Sequence, residues 1–164
     1  MKSKLTISFT GAALFVLILA GCSTTTTTPS SAPAALPAAG TDLATATTGL
    51  GKIVVDGKGM TAYFYDPDKA NSGVSACTGQ CAAVWPALTS ASATPKVTGI
   101  SGTVGTIPGD RQITINGRPL YTYSGDSSPG NTNGQGIQGI WYVVSPTGEE
   151  MKSAKPAKPG KAGY

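Results

Sequence analysis

The residues that decide the fold are Ala62-Tyr63-Phe64-Tyr65-Asp66-Pro67-Asp68, because the same pattern returns without gaps as Leu120-Tyr121-Thr122-Tyr123-Ser124-Gly125-Asp126. Each copy places Tyr at alternate positions and an Asp three residues after the second Tyr. Alternation has the period of a β-strand, so Tyr63 and Tyr65 project to one face, as do Tyr121 and Tyr123. Each copy follows a glycine-containing turn, leads into a loop rich in Gly, Asn and Ser, and reaches a tryptophan, Trp85 or Trp141. A long segment that repeats itself once predicts two copies of one β-unit.

Working outward, Gly51–Asp56 and Met60–Tyr65 read as two strands around the turn Gly57-Lys58-Gly59, a predicted hairpin. Gly102–Ile107 and Arg111–Ile115 read as a second pair around Pro108-Gly109-Asp110. Asn116-Gly117 is the strongest short turn signal, and Pro119–Tyr123 and Ile140–Val144 complete six short strands. No long segment repeats apolar residues at the helical period. The predicted fold is all-β: a small domain of short antiparallel strands built from two duplicated units, with one helical turn near the Cys77/Cys81 pair.

The chain has 164 residues, with 12 Lys and Arg against 8 Asp and Glu, and no His. The missing imidazole excludes Ser-His-Asp and Cys-His catalysis and zinc sites with His ligands. Charged residues are 12% of the chain, too few for a densely basic nucleic-acid binder. The excess of +4 comes largely from the ends: residues 50–147 hold 6 basic and 5 acidic groups.

The N-terminus carries Lys2 and Lys4, then an apolar run from Leu5 to Ala20, shorter than the roughly 20 residues of a membrane span. It ends Leu19-Ala20-Gly21-Cys22, a pattern that resembles the bacterial lipobox. Residues 1–21 therefore read as a lipoprotein signal peptide and Cys22 as the lipidated residue. Acyl chains there would hold the chain on a membrane at about 0.8 kcal/mol per buried CH2. Ser23 is not the Asp associated with inner-membrane retention, which favours the outer membrane if the cell is Gram-negative. Residues 22–49, rich in Ser, Thr, Ala and Pro, read as a disordered tether, residues 50–147 as the duplicated β-domain, and residues 148–164 as a Lys/Pro-rich disordered tail.

The doubled Tyr-x-[Phe/Trp/Tyr]-x-x-Asp motif, with Cys77-x-Gly79-x-Cys81-Ala82-x-x-Trp85-Pro86, Asn116-Gly117-x-Pro119-Leu120-Tyr121 and Gly139-x-Trp141, resembles the secreted-repeat lipoproteins of bacteria. The resemblance spans residues 50 to 145 and departs at Ala87, where the family more often continues with a second Pro. It implies an exported, duplicated β-unit and brings no reaction with it.

Several readings of the motif residues stand side by side. Tyr63, Tyr65, Tyr121 and Tyr123 suit an aromatic core layer or a groove that stacks a ligand. Asp68 and Asp126 suit loop corners that accept backbone N–H groups. Asp66-x-Asp68-x-x-Asn71 and Asp126 with Asn131-x-Asn133 offer oxygen atoms to calcium, but neither has the spacing of an EF-hand. Trp85 and Trp141 belong to the same repeated face.

Cys77 and Cys81 suit a disulfide in an exported protein. A strand would hold positions i and i+4 about 13 Å apart, so this segment must curl if they pair. The alternative is a redox or metal-handling protein using this pair, without the His that copper chaperones of the thioredoxin type add. No catalytic set, metal site or cofactor emerges, and Gly134-Gln135-Gly136 lacks the strand-to-helix setting of a nucleotide loop. The sequence thus predicts a non-enzymatic binding or scaffolding module at the cell envelope, with the membrane and an unidentified envelope component as partners and no role for nucleic acid.

Overall fold

A computed structural model describes residues 37–152. The predicted signal peptide, Cys22, most of the predicted tether and the residues after 152 lie outside them. Seven strands follow in chain order: β1 (Leu43–Thr48), β2 (Gly51–Asp56), β3 (Tyr63–Tyr65), β4 (Val104–Thr106), β5 (Ile113–Ile115), β6 (Arg118–Pro119) and β7 (Trp141–Val143). A single-turn helix α1 (Gln80–Val84) follows Cys77 and contains Cys81, and a 3-10 turn spans Ile137–Gly139. The strands form three small antiparallel sheets: β1–β2, β3–β7 and β4–β5–β6.

The repeats are interlaced rather than laid side by side. In the first half, the Ala62 N–H donates to Val54 O, that of Val54 to Val144 O, and that of Val144 back to Ala62 O, at 2.8–3.2 Å. In the second half the same ring joins Leu120 to Ile113, Ile113 to Leu88 and Leu88 to Leu120, at 2.7–2.9 Å. Each ring takes two members from one repeat and the third from the other. At the centre, Tyr63 and Tyr121 exchange both backbone hydrogen bonds, at 2.8 and 3.0 Å. β3 pairs with β7, setting Tyr65 opposite Trp141. The second copy of the motif pairs with Ala87 of the first repeat in the same way.

Side-chain alternation divides the interior into two clusters. Leu43, Val54, Ala62, Phe64, Ile113, Ile115, Leu120 and Val144 pack together as an aliphatic layer around Phe64. Ile53, Val55, Tyr63, Trp85, Tyr121, Trp141 and Val143 form an aromatic layer, with Tyr65 and Tyr123 packed against it. The prediction that both tyrosines of each copy share a face is met, and the intervening Phe64 points into the other layer.

Three expectations are corrected. The domain does not begin at residue 50: β1 lies in the stretch assigned to the tether and pairs along its whole length with β2, from Leu43–Asp56 to Thr48–Gly51. Its Ala and Thr side chains offer little apolar area, but Leu43 is fully buried and the β-branched β2 supplies the partner backbone. The domain does not end at 147 either, because Val144 bridges Glu150 and the Met151 N–H donates to Val143 O. Finally, the hairpin between Gly51–Asp56 and Met60–Tyr65 is reduced to a bridge between Val55 and Thr61, since the Val54 N–H goes to Val144 O and Tyr63 turns its backbone groups to Tyr121. The Asn116-Gly117 turn forms as predicted, with φ of 51° and 76°, the two left-handed residues of a type I′ turn.

Candidate functional site

The repeated motif residues converge on one buried assembly. Tyr63 is fully buried, and its hydroxyl donates to Asp126 Oδ2 at 2.7 Å. Tyr121 does the same to Asp68 Oδ2, also at 2.7 Å. Each tyrosine therefore bonds the aspartate of the other repeat. The second oxygen of each carboxylate holds its own loop: Ala76 N–H donates to Asp68 Oδ1 at 2.7 Å, and Asn133 N–H to Asp126 Oδ1 at 2.9 Å. Both aspartates act as loop corners, as the sequence implies, but they reach over more residues than a local turn.

The surroundings of the two hydroxyls differ. Gly134 N–H donates to the Tyr63 hydroxyl at 3.2 Å, whereas the Tyr121 hydroxyl shares a 2.7 Å hydrogen bond with Ser75 Oγ. Burial, and then the nearby charge of Asp126, push the Tyr63 phenol well above its ordinary range. Burial does the same to Tyr121. Asp126 is held above the usual carboxylate range by burial, which the hydrogen bonds from Tyr63 and Asn133 oppose without cancelling.

Four rings lie on one another at the centre. Trp85 and Trp141 stack with centroids 3.7 Å apart and planes 2° from parallel. Tyr65 covers the outer face of Trp141 at 4.2 Å, and Tyr123 that of Trp85 at 4.4 Å. Tyr63 meets Trp85 edge-on at 5.4 Å, and Tyr121 meets Trp141 edge-on at 5.3 Å. Both tryptophans are buried, while Tyr65 and Tyr123 at the ends are half-buried. No open slot for a stacked ligand remains between these rings; the protein's own side chains occupy it.

Cys77 and Cys81 are joined as a disulfide, with Cα atoms 5.3 Å apart, across the loop that enters α1. Gly79, at φ 57°, makes the bend that a strand could not. Each sulfur is bonded to the other, so neither is a thiolate ligand in this state. No group of three or more His, Cys, Asp or Glu placed to hold a metal occurs among the described residues.

Sequence reasoning missed two features. Gly134 sits where a Cβ would come within 2.8 Å of both Trp85 Cη2 and Tyr63 Cε1, so its lack of a side chain admits the rings. Beyond Val144, Glu150 pairs with Arg118 and Lys152, while Lys152 also lies 3.5 Å from Asp66. The Arg118 guanidinium lies over Phe64 at 4.3 Å. The Glu-Glu-Met-Lys run shows no motif, so only its fold context reveals this cluster.

Outside the aromatic assembly, a cleft of about 420 Å3 runs between Thr41, Asp42, Asp56, Gly57 and Lys58 on one side and Ala87, Leu88, Thr89 and Thr122 on the other. Most of its side chains end in oxygen.

A family model described as a secreted repeat of unknown function matches residues 44–89 and 102–145. The first match begins inside β1, in agreement with the corrected boundary, and the description agrees with an extracytoplasmic location. No curated protein and no solved structure matches the chain. Among the described residues no helix is long and apolar enough to cross a membrane.

Proposed function

The chain belongs to the secreted-repeat family, with two copies of the repeat, and on that premise we propose a non-catalytic binding or scaffolding module held at the bacterial cell envelope by lipid on Cys22. The observation that carries this reading is the reciprocal bonding of Tyr63 to Asp126 and Tyr121 to Asp68. Tyr63, Tyr121, Asp68 and Asp126 are used to join the two copies, which leaves these four no free acid, base or nucleophile to offer a substrate. The disulfide adds a local crosslink suited to an oxidising compartment. The lipobox pattern supports the anchor, and Ser23 supports the outer membrane in a Gram-negative cell.

Binding then falls to the outer surface. The oxygen-lined cleft between Asp42, Asp56, Lys58 and Thr89 suits a polar, hydroxylated or charged envelope component better than an acyl chain. A redox or metal role for Cys77 and Cys81 has less support, because their sulfurs are engaged with each other.

Two measurements test the proposal. Mass analysis of the N-terminal fragment from native membranes should find acyl groups on Cys22; an unmodified Cys22 would remove the anchor. A photo-crosslinker placed at Lys58 or Thr122 in living cells should capture one discrete envelope component. The same pattern of adducts from a crosslinker at exposed Lys69 would overturn the cleft as the binding surface.

A further inference from the structure

The four stacked rings form an unbroken aromatic path between two half-buried tyrosines, and its middle touches two fully enclosed phenols, each bonded to a carboxylate. Centroid separations along Tyr65, Trp141, Trp85 and Tyr123 are 4.2, 3.7 and 4.4 Å. Tyr63 and Tyr121 join this path edge-on at Trp85 and Trp141. Packing alone calls for large apolar groups there. It does not call for two phenols whose hydroxyls each face an aspartate oxygen at 2.7 Å inside the core. Burying such polar groups is costly unless each is fully paired.

We propose that this assembly accepts a one-electron oxidation at its surface-facing tyrosines and holds the resulting radical on Tyr63 or Tyr121, with Asp126 or Asp68 taking the phenolic proton. The oxidant is a diffusible one-electron acceptor of the peroxyl-radical class. It takes an electron at Tyr65 or Tyr123, and electrons from Trp141 and Trp85 refill the gap in turn. Tyr63 supplies the last electron to Trp85 as its O–H bond breaks and the proton crosses to Asp126 Oδ2. The sum is one phenol, one carboxylate, one peroxyl radical and one solvent proton giving one neutral tyrosyl radical, one carboxylic acid and one hydroperoxide.

The carboxylate decides where the radical rests. Oxidising a phenol makes its proton strongly acidic, and in a buried site a phenol without a base would have to remain as an unsolvated cation. Beside Asp126 the charge is cancelled by a single short proton transfer. Tyr65 and Tyr123 have no hydrogen bond on their hydroxyls among the described residues, so they lack this outlet within the fold. The raised proton affinity of Asp126 fits its place as the acceptor. This inference is independent of the lipid anchor and of the cleft.

The test uses the full chain with its disulfide intact and photogenerated ruthenium(III) tris-bipyridine as the oxidant. Electron paramagnetic resonance after rapid freezing should show a neutral tyrosyl radical that forms more slowly in D2O than in H2O. In the Asp68→Asn/Asp126→Asn variant, which keeps the shape and removes the bases, that radical should form at least about tenfold more slowly, the mark of a barrier raised by roughly 1.4 kcal/mol. In the Tyr63→Phe/Tyr121→Phe variant the signal should move to tryptophan. Near-ultraviolet circular dichroism checks that each variant keeps the ring stack. A wild-type radical resting on tryptophan, no radical at all, or a tyrosyl signal unchanged in the Tyr63→Phe/Tyr121→Phe variant would each overturn the proposal. The wild-type spectrum and its isotope effect require no variant to fold.

Discussion

The hydroxyl of Tyr63 donates to Asp126 across the boundary between the repeats at 2.7 Å, and Tyr121 repeats the bond to Asp68 in the opposite sense. The two copies thus hold each other by a matched pair of buried, charge-assisted hydrogen bonds. Removing one partner leaves the other unsatisfied, which costs about 1–3 kcal/mol and more for a charge. Asp126→Ala should therefore destabilise more than Tyr63→Phe, because it also frees the Asn133 N–H. Urea denaturation of both single variants and the double variant measures the coupling. A double variant whose loss equals the sum of the singles would show that the bond contributes nothing of its own.

Gly134 is a second point where the interlaced packing is exposed to test. A methyl group there meets Trp85 and Tyr63 at 2.8 Å, closer than carbon atoms pack. Gly134→Ala should cost about 1–3 kcal/mol, the usual range for overpacking. Gly49→Ala has open space around the added Cβ and serves as the control, expected to be near neutral. Equal melting temperatures for the two variants would contradict the close contact.

What could be read from the sequence follows from physical range. The alternation of Tyr63 and Tyr65 is local, so it announced both the strand and the shared face. The short link between Cys77 and Cys81 and the Asn116-Gly117 turn are local as well, and both formed as expected. The bond from Tyr63 to Asp126 spans the two repeats, and nothing in either copy states that its tyrosine serves the other's aspartate. β1 escaped notice because Leu-Ala-Thr-Ala-Thr-Thr carries one large apolar side chain, and its order comes from β2 across the sheet. Glu150 escaped because its partners, Arg118 and Lys152, meet only after β7 returns beside β3.

That returned segment makes its own prediction. The Glu150 carboxylate is largely enclosed between Arg118 and Lys152. Burial raises its proton affinity, but the hydrogen bond from Lys152 first, and the hydrogen bond and charge of Arg118 after it, win, leaving Glu150 below its ordinary range. A carboxylate depressed on folding adds stability above its unfolded pKa and loses it as pH falls through the folded value. Glu150→Gln should therefore lower stability at neutral pH by about 1–3 kcal/mol. The difference from wild type should shrink on acidification. A gap between the two that stays constant from neutral to acidic pH would remove the ion pair from the stability of the fold.

Reduction of the disulfide should leave the core folded. Cys77 and Cys81 are four positions apart, so the ring they close is short. Loop-closure entropy for a ring of about five residues gives roughly 2 kcal/mol as the most that crosslinking can contribute. Cys77→Ala/Cys81→Ala should then remain folded, with the near-ultraviolet signal of the Trp85–Trp141 stack retained. Global unfolding on mild reduction would mean that the disulfide, and not the interlacing of the repeats, holds the aromatic layer together.

Alkaline pH gives the most direct reading of the buried phenols. Tyr63 and Tyr121 are both raised on folding, by burial before all else. In the unfolded chain they release protons near the ordinary value of about 10, while the folded chain retains them. The native state then binds more protons than the unfolded one, so stability falls as pH rises. The contribution is fully present below the ordinary tyrosine pKa and is lost progressively above it. The slope approaches about 1.4 kcal/mol per pH unit for each buried tyrosine. Urea midpoints measured upward from pH 9 should therefore drop more steeply in wild type than in Tyr63→Phe/Tyr121→Phe, even though that variant starts from a lower stability. Parallel curves would mean that the two hydroxyls ionise as freely in the fold as in water, which their enclosure against Asp126 and Asp68 does not allow.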